Sequence, residues 1–285
     1  MTTQDQVETR AAGAGAGHLA AYSTLLSAVF GATDKFSTPA LAWRYRDNPA
    51  GQVVGTDAWN GAQLCAHYAT CPTAARIDGH PMRGLVSLNT ATHPDFQGRG
   101  LFVRLAEQTY SAAAEAGYDF VVGVANANST PGFVRRLGFQ LVAPLAAGWL
   151  PHLPRRRLDS DLQFEGDWTE PSLTWRLANP GAAYRVAPCG EWLATWSKTH
   201  VPFVDCVALI RPLEGHMPAP SRPLAASLFI GLDPRLQLGR NGFIALPERA
   251  RPSPLHLIYR PLSPRSPKSL DKGAVAFSFL DFDPY

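Results

Sequence analysis

The sequence predicts an α/β chain, in detail an α+β mixed sheet, and three observations point there. Strand-like stretches in the first third are separated by Asn60-Gly61 and Asp78-Gly79, dipeptides that favour two-residue hairpins. A glycine-flanked loop, Gln97-Gly98-Arg99-Gly100, then opens an Ala-rich helical stretch that leads to a short apolar strand. Finally, Leu41-Ala42-Trp43-Arg44 with Asn48-Pro49 recurs 132 residues later as Leu173-Thr174-Trp175-Arg176 with Asn179-Pro180, about one domain length away. The bland alternative is an amphipathic turn that arose twice.

Taken in order, residues 1–17 are polar and then Ala/Gly-rich and are expected to be a flexible N-terminus. Leu19, Tyr22, Leu26, Val29 and Phe30 share one face of a helix over 18–30, which Gly31 stops. A second helix spans about 38–46, before Asn48-Pro49 breaks it. Strands follow over Val53–Trp59, Ala62–Ile77 and Met82–Thr92, an antiparallel meander. The next helix covers Gly100–Ala116, with Leu101, Leu105, Ala112 and Ala116 along one face and Gly117 as its stop. A strand over Tyr118–Val124, a short helix from about Pro131 to Leu137 and a strand from Phe139 complete the unit. A right-handed crossover makes the strand at Val121 parallel to the one ending at Thr92.

Residues 143–171 read as irregular, with several prolines, so the expected domains are 18–150 and 171–285 with a linker over 151–170. Beyond it, strand-like segments lie near 184–188, 203–210, 242–246, 255–260 and 274–281, with a helix over about 222–230.

The chain has 285 residues, 46% of them hydrophobic, enough for one large domain or two of ordinary size. A net charge of +3, with one dense basic run at Arg155-Arg156-Arg157, argues against a nucleic-acid partner. The N-terminus lacks the apolar core of a signal peptide, and no run has the length of a transmembrane helix, so a cytoplasmic chain with no membrane partner is expected. Cys65, Cys71, Cys189 and Cys206 form no C-x-x-C pair and no zinc spacing, so buried thiols and no metal are expected.

Chemistry concentrates in Leu88–Phe102. Glycines at 98 and 100 let the backbone approach a ligand, and the N–H groups of the helix's first turn, with its dipole, favour phosphate. The lysine and Ser/Thr of a Walker loop are missing, and Val103 stands where a dinucleotide fingerprint needs its third glycine. In Gln97 and Gly100 this stretch matches the Gln/Arg-x-x-Gly-x-Gly/Ala loop of the GCN5-related N-acetyltransferase (GNAT) superfamily, with Phe102 replacing the final small residue. Residues 88–94 are similar to the family's bulged strand. Asn128-Ser129-Thr130-Pro131-Gly132-Phe133 through Leu137-Gly138-Phe139 is similar to its motif of an Asn before a short helix. The resemblance covers about residues 15–145. The Trp-Arg…Asn-Pro-Ala-Gly and Asn-x-Asn-Ser-x-Pro-Gly-Phe segments further resemble a two-domain branch that acylates nucleotide-linked amino sugars.

The resemblance implies a GNAT fold, here two tandem GNAT-like domains with a degenerate C-terminal copy. It implies acetyl-CoA or another acyl-CoA as co-substrate and a small-molecule amine, such as an amino sugar, as acceptor. Thr90, Ala91 and Thr92 would face the pantetheine, with N–H groups around Asn89–Ala91 freed by a bulge to hold the carbonyl oxygen. Gln97, Gly98, Arg99, Gly100, Leu101 and Phe102 would hold the pyrophosphate, and Asn128 and Phe133 would line the other side. The family's proton-donating tyrosine falls on Val134, so either an N-acyltransferase or a non-catalytic acyl-CoA-binding protein fits. His93, Asp281 and Asp283 are candidate catalytic groups, each with a bland alternative as an exposed or structural side chain; His67 has the same two readings. Trp43 and Trp175 are core residues or stacking platforms, and Arg44 and Arg176 form interface ion pairs or hold an anion.

Overall fold

The computed structural model describes residues 7–154, 156, 160–199, 201–213, 226–247 and 254–283. Its first half runs β1 (Glu8–Ala11), α1 (Ala16–Phe30), α2 (Thr38–Tyr45), β2 (Val54–Asn60), β3 (Gln63–Ile77), β4 (His80–Thr92), α3 (Leu101–Glu115), β5 (Phe120–Ala125), α4 (Thr130–Arg136), β6 (Gln140–Pro144) and β7 (Ala146–Trp149). The second runs β8 (Phe164–Gly166), α5 (Glu170–Leu177), β9 (Tyr184–Cys189), β10 (Trp192–Lys198), β11 (Val204–Ile210), β12 (Ala226–Leu232), β13 (Ile244–Ala245), β14 (His256–Pro261), β15 (Val275–Ser278) and α6 (Phe279–Phe282).

The hairpins form where the turn dipeptides demand them. Asp78 and Gly79 both hold positive φ, 48° and 77°, as a type I′ turn requires. Because side chains alternate across a strand, Tyr68 of β3 enters the core under α3, while Ala69 and Cys71 enter the one under α1 and α2. Thus α3 packs on one face of the sheet and α1 with α2 on the other.

The structure corrects several sequence expectations. The face of α3 that packs is Leu101, Leu105, Ala106, Thr109, Tyr110 and Ala113, not the one through Ala112 and Ala116. Two polar members hid it, and each hydroxyl finds a partner, Thr109 with Thr56 at 2.9 Å and Tyr110 with Tyr68. Phe30, expected on the buried face of α1, is 53% exposed. Residues 8–11, inside the segment expected to be flexible, pair with β2. The segment over 143–171 contains β7 and β8. In place of the helix near 222–230, residues 226–232 form β12, and 222–225 lie outside the described residues. Periodicity does not separate a short apolar run into helix or strand; here the run finds ladder partners in β11, β7 and β15. The final strand stops at Ser278, where Ser278 and Asp281 make a capping box that starts α6. Arg155 and Arg157 lie outside the described residues.

All the strands join one mixed sheet whose main path is β6-β14-β5-β4-β3-β8-β15-β12-β11-β10-β9. The same local order occurs twice. In each half a helix (α2, α5) precedes three antiparallel strands, and the third pairs in parallel with a later strand, β4 with β5 and β11 with β12. The halves also exchange strands. From the second half, β14 lies between β5 and β6, and from the first, β7 pairs with β12. Residues 18–150 and 171–285 are therefore interlocked through the sheet as well as joined by the connecting segment.

Where the halves meet, the repeated tryptophans face each other. The Trp43 and Trp175 rings stack at 4.6 Å and 15°. Each indole N–H donates to the other's backbone carbonyl, at 2.8 and 3.0 Å. Arg44 and Arg176 both reach Asp283 Oδ2, at 2.6 and 3.1 Å, and Asn179 and Tyr184 also donate to that carboxylate. The tryptophans pack on each other, and the arginines form interface ion pairs.

Candidate functional site

The site begins with a strand that loses register. On β3, His67 pairs with Ala91 and Ala69 with Leu88, so Asn89 and Thr90 together oppose Tyr68. This two-against-one bulge bends β4 and frees backbone groups from the ladder. Asn89 holds φ +47°, a left-handed conformation that Asn tolerates better than most residues. The parallel pairing of β4 with β5 runs from Gly84–Phe120 to Ser87–Gly123 and ends there. Beyond it the strands separate around a cleft of about 720 Å³, lined among others by Asn89, Thr90, Val124, Asn126, Asn128 and Phe133.

At one end of β4 lies the glycine loop. Gly98 and Gly100 hold φ of +74° and +73°, and no atom lies within 4 Å of where a Cβ would stand on either. The loop thus presents bare backbone to open space. Its own side chains are tied back: Gln97 Nε2 donates to the Thr92 carbonyl at 3.3 Å, and Arg99 donates to the Asp95 carbonyl at 3.0 Å while its guanidinium lies 4.8 Å over the Phe96 ring. Gly100 caps α3 without a side chain, so the N–H groups of the first turn face outward at the positive end of the helix. The donor set fits a pyrophosphate: several backbone N–H groups, a helix terminus and no carboxylate within the loop.

The opposite wall is built by α4. Asn126 Oδ1 accepts from the N–H groups of Asn128 and Ser129, at 3.0 and 2.9 Å, which turns the chain from β5 into the helix. Phe133 is buried edge-on to Phe102 with centroids 5.2 Å apart. A Cβ on Gly132 would sit 2.9 Å from the Phe102 ring. Phe102, which replaces a small residue of the motif, therefore seats α4 on the head of α3. Leu101 and Ala91 are buried, so only their backbones can serve a ligand.

The other sequence candidates lie elsewhere. His93 caps the short 3₁₀ turn Pro94–Phe96, accepting from the Asp95 N–H at 3.3 Å. Asp281 accepts from the Ser278 N–H at 2.7 Å and hydroxyl at 3.1 Å. Burial at the junction of the halves pushes the Asp281 carboxyl up to about 6, against the opposing pull of those hydrogen bonds. Asp283 is the buried partner of Arg44 and Arg176. None of these three lines the cleft.

Two features of the site escaped the sequence reading. Lys35 lines the cleft, and burial, then the nearby Arg44, lowers its ammonium below the usual lysine range. Beneath the bulge lies a buried polar chain. Tyr22 donates to Asp57 Oδ2 at 2.6 Å, Asp57 Oδ1 meets His67 Nδ1 at 2.6 Å, His67 Nε2 meets the Tyr45 hydroxyl at 3.1 Å, and Asn89 Nδ2 donates to that hydroxyl at 2.9 Å. Tyr22, Tyr45, Asp57 and His67 are each 0% exposed. Burial holds both phenols well above the ordinary tyrosine range, with Asp57 adding to the effect on Tyr22. Helix spacing marks Tyr22 as core, but no local pattern pairs Tyr22 and Tyr45 with residues 35 and 22 positions away.

In the second half, beside β11 and β12, Arg235 lies 5.2 Å over Trp192, pairs with Asp233 and Glu165 at 2.7 and 2.8 Å, and lines a cavity of about 80 Å³. Among the described residues no group of three His, Cys, Asp or Glu could hold a metal ion, and no helix is long and apolar enough to cross a membrane.

Residues 13–142 match the model of an acetyltransferase (GNAT) domain. Among solved structures, a GCN5-related N-acetyltransferase from Anabaena variabilis superposes with a TM-score of 0.62 at 11% identity, over 90% of this chain and 73% of that one. One from Kribbella flavida gives 0.61 at 11% identity, over 90% and 71%. A probable N-acyltransferase of Enterococcus faecalis gives 0.55 at 9% identity, over 90% and 73%. No curated protein matches the sequence. The chain has the GNAT fold, a mixed α/β architecture, and an acetyltransferase (GNAT) domain is recognised in its first half.

Proposed function

We propose that the protein is an acyl-CoA-dependent N-acyltransferase that moves an acetyl or other short acyl group to a primary amine. The observation that carries this reading is one arrangement: a bulged β4 parting from β5 beside a bare glycine loop at the head of α3. In it, backbone N–H groups of Gly98–Phe102 hold the pyrophosphate, with Gln97 and Arg99 shaping the loop. Thr90 and Thr92 pair with the pantetheine through their main chains. Asn128 and Phe133 close the other side.

The amine attacks the thioester carbon, and the charge that gathers on the carbonyl oxygen meets the N–H groups of the bulge. The C–N bond forms, the C–S bond breaks, and the amine's proton is lost to solvent or a base. Val134 cannot give the departing sulfur a proton, but a thiol pKa of about 8.5 makes the thiolate a tolerable leaving group. Holding both reactants in one cleft supplies much of the rate.

For the acceptor we propose an amino sugar, nucleotide-linked in the branch that the Trp-Arg…Asn-Pro-Ala-Gly segment resembles. We read the halves as tandem GNAT-like domains, the second degenerate because Arg235 occupies its opening. The reading places the protein in the cytoplasm, where acyl-CoA is found. Incubation with acetyl-CoA and a panel of primary amines, amino sugars included, tests it: CoA release that depends on one of the amines is expected. Saturable coenzyme binding without release on any amine favours the non-catalytic reading that Val134 leaves open.

A further inference from the structure

We infer that Asp57, His67 and Tyr45 form a buried positioning chain that sets the Asn89 side chain and, through it, the left-handed backbone of the β4 bulge. Its catalytic consequence rests on the coenzyme reading above; its geometry does not.

The hydrogen bonds have one consistent direction. Asp57 has only acceptors to offer, so His67 Nδ1 carries the proton that it meets at 2.6 Å. The neutral ring then offers a lone pair at Nε2. The Tyr45 hydroxyl gives its proton there at 3.1 Å, which leaves its oxygen free to accept from Asn89 Nδ2 at 2.9 Å. With the ring charged, Nε2 would donate as well, and the phenolic proton would be stranded in a site that is 0% exposed. On its far side Asp57 is held by Tyr22, whose ring stacks on His67 at 4.0 Å. A chain satisfied at each link and buried to its last member is a rigid support.

What it supports is the one strained residue of the bulge. Asn89 holds φ +47° and is one of the residues that line the cleft. An L residue enters that region only when its surroundings specify it, and the anchored amide does so. Ladder bonding resumes on either side of it, at Leu88 and Ala91. A turn of the backbone at Asn89 would therefore re-aim the free N–H groups without disturbing the rest of β4. His67 and Tyr45 touch no ligand in this account; they act through Asn89.

Tyr45→Phe removes one hydroxyl and tests the inference. With acetyl-CoA and an accepted amine, it should lower kcat roughly 10- to 100-fold while the coenzyme's Kd moves less than about threefold. Glycine adopts positive φ without an anchor. In an Asn89→Gly background the added Tyr45→Phe should change kcat by less than about twofold. Independent, multiplying losses would overturn the inference. Amide hydrogen exchange of the intact chain judges the support without any turnover: Tyr45→Phe should speed exchange at Leu88 and Ala91 and leave β2 and α1 unchanged. Unchanged exchange at those two amides, or an equal rise throughout the first half, would overturn it. Wild type that neither binds acetyl-CoA nor acylates an amine, yet shows the local exchange effect, would sink the coenzyme reading and leave the positioning chain standing.

Discussion

Gly100 ends the loop with φ +73° and nothing beside the place of its Cβ, so a side chain there strains the backbone and fills the space a phosphate needs. Gly100→Val should weaken acetyl-CoA binding about tenfold or more, measured by titration calorimetry, with thermal unfolding confirming that the variant folds. Asp281 gives a prediction of the opposite kind, one of stability. Its folded pKa of about 6 lies above the ordinary 3.8, so the fold binds this proton more tightly than the unfolded chain does. The group's unfavourable contribution is absent below about pH 4, grows as pH rises through 4 to 6, and reaches on the order of 3 kcal/mol at neutrality. Asp281→Asn keeps an acceptor for the Ser278 N–H and removes the charge. Urea unfolding should find the variant gaining on wild type as pH rises from 4 to 7; a pH-independent difference would refute the assignment.

Elements show where local sequence decides and where it does not. The helices α1 to α4 and strands β2 to β6 could be placed because hydrophobic spacing and turn dipeptides act within a few residues. Strands β1, β7, β8, β10 and β12 were not foreseen, since each is defined by what it pairs with. The site divides in the same way. The glycine loop and the bulged strand are local motifs, whereas Asp57, His67 and Tyr45 meet only when the end of α2 packs against β3 and β3 pairs with β2. The repeat of Trp43 and Trp175 was visible as a spacing, but the stack between its two copies was not. That stack and the arginines beside it hold α2 to α5. Asp283→Ala would leave Arg44 and Arg176, each 8% exposed, without their shared carboxylate. Breaking a buried ion pair in this way costs about 3–5 kcal/mol, so the denaturation midpoint of the variant should fall sharply. A shift within experimental error would show that the interface does not rely on that carboxylate.

At the scale of the molecule, the pairing of β3 with β8 joins the two halves in one sheet, the exchange of β14 and β7 interlocks them further, and unfolding should reflect it. Denaturant melts followed by tryptophan fluorescence, which reports Trp168, Trp175 and Trp192 among others, and by far-ultraviolet dichroism should coincide in one transition. Two separated transitions would mean that the halves fold independently despite the exchange. In the first half, β14 lies beside β5 and the cleft toward β4 has a volume of about 720 Å³; in the second, Arg235 lines a cavity of about 80 Å³. One coenzyme site per chain is the central claim, and calorimetric titration of the intact protein with acetyl-CoA tests it most directly. The account predicts saturable binding of one acetyl-CoA per chain, weakened by Gly100→Val. No heat of binding, two coenzymes per chain, or an affinity indifferent to Gly100→Val would contradict it.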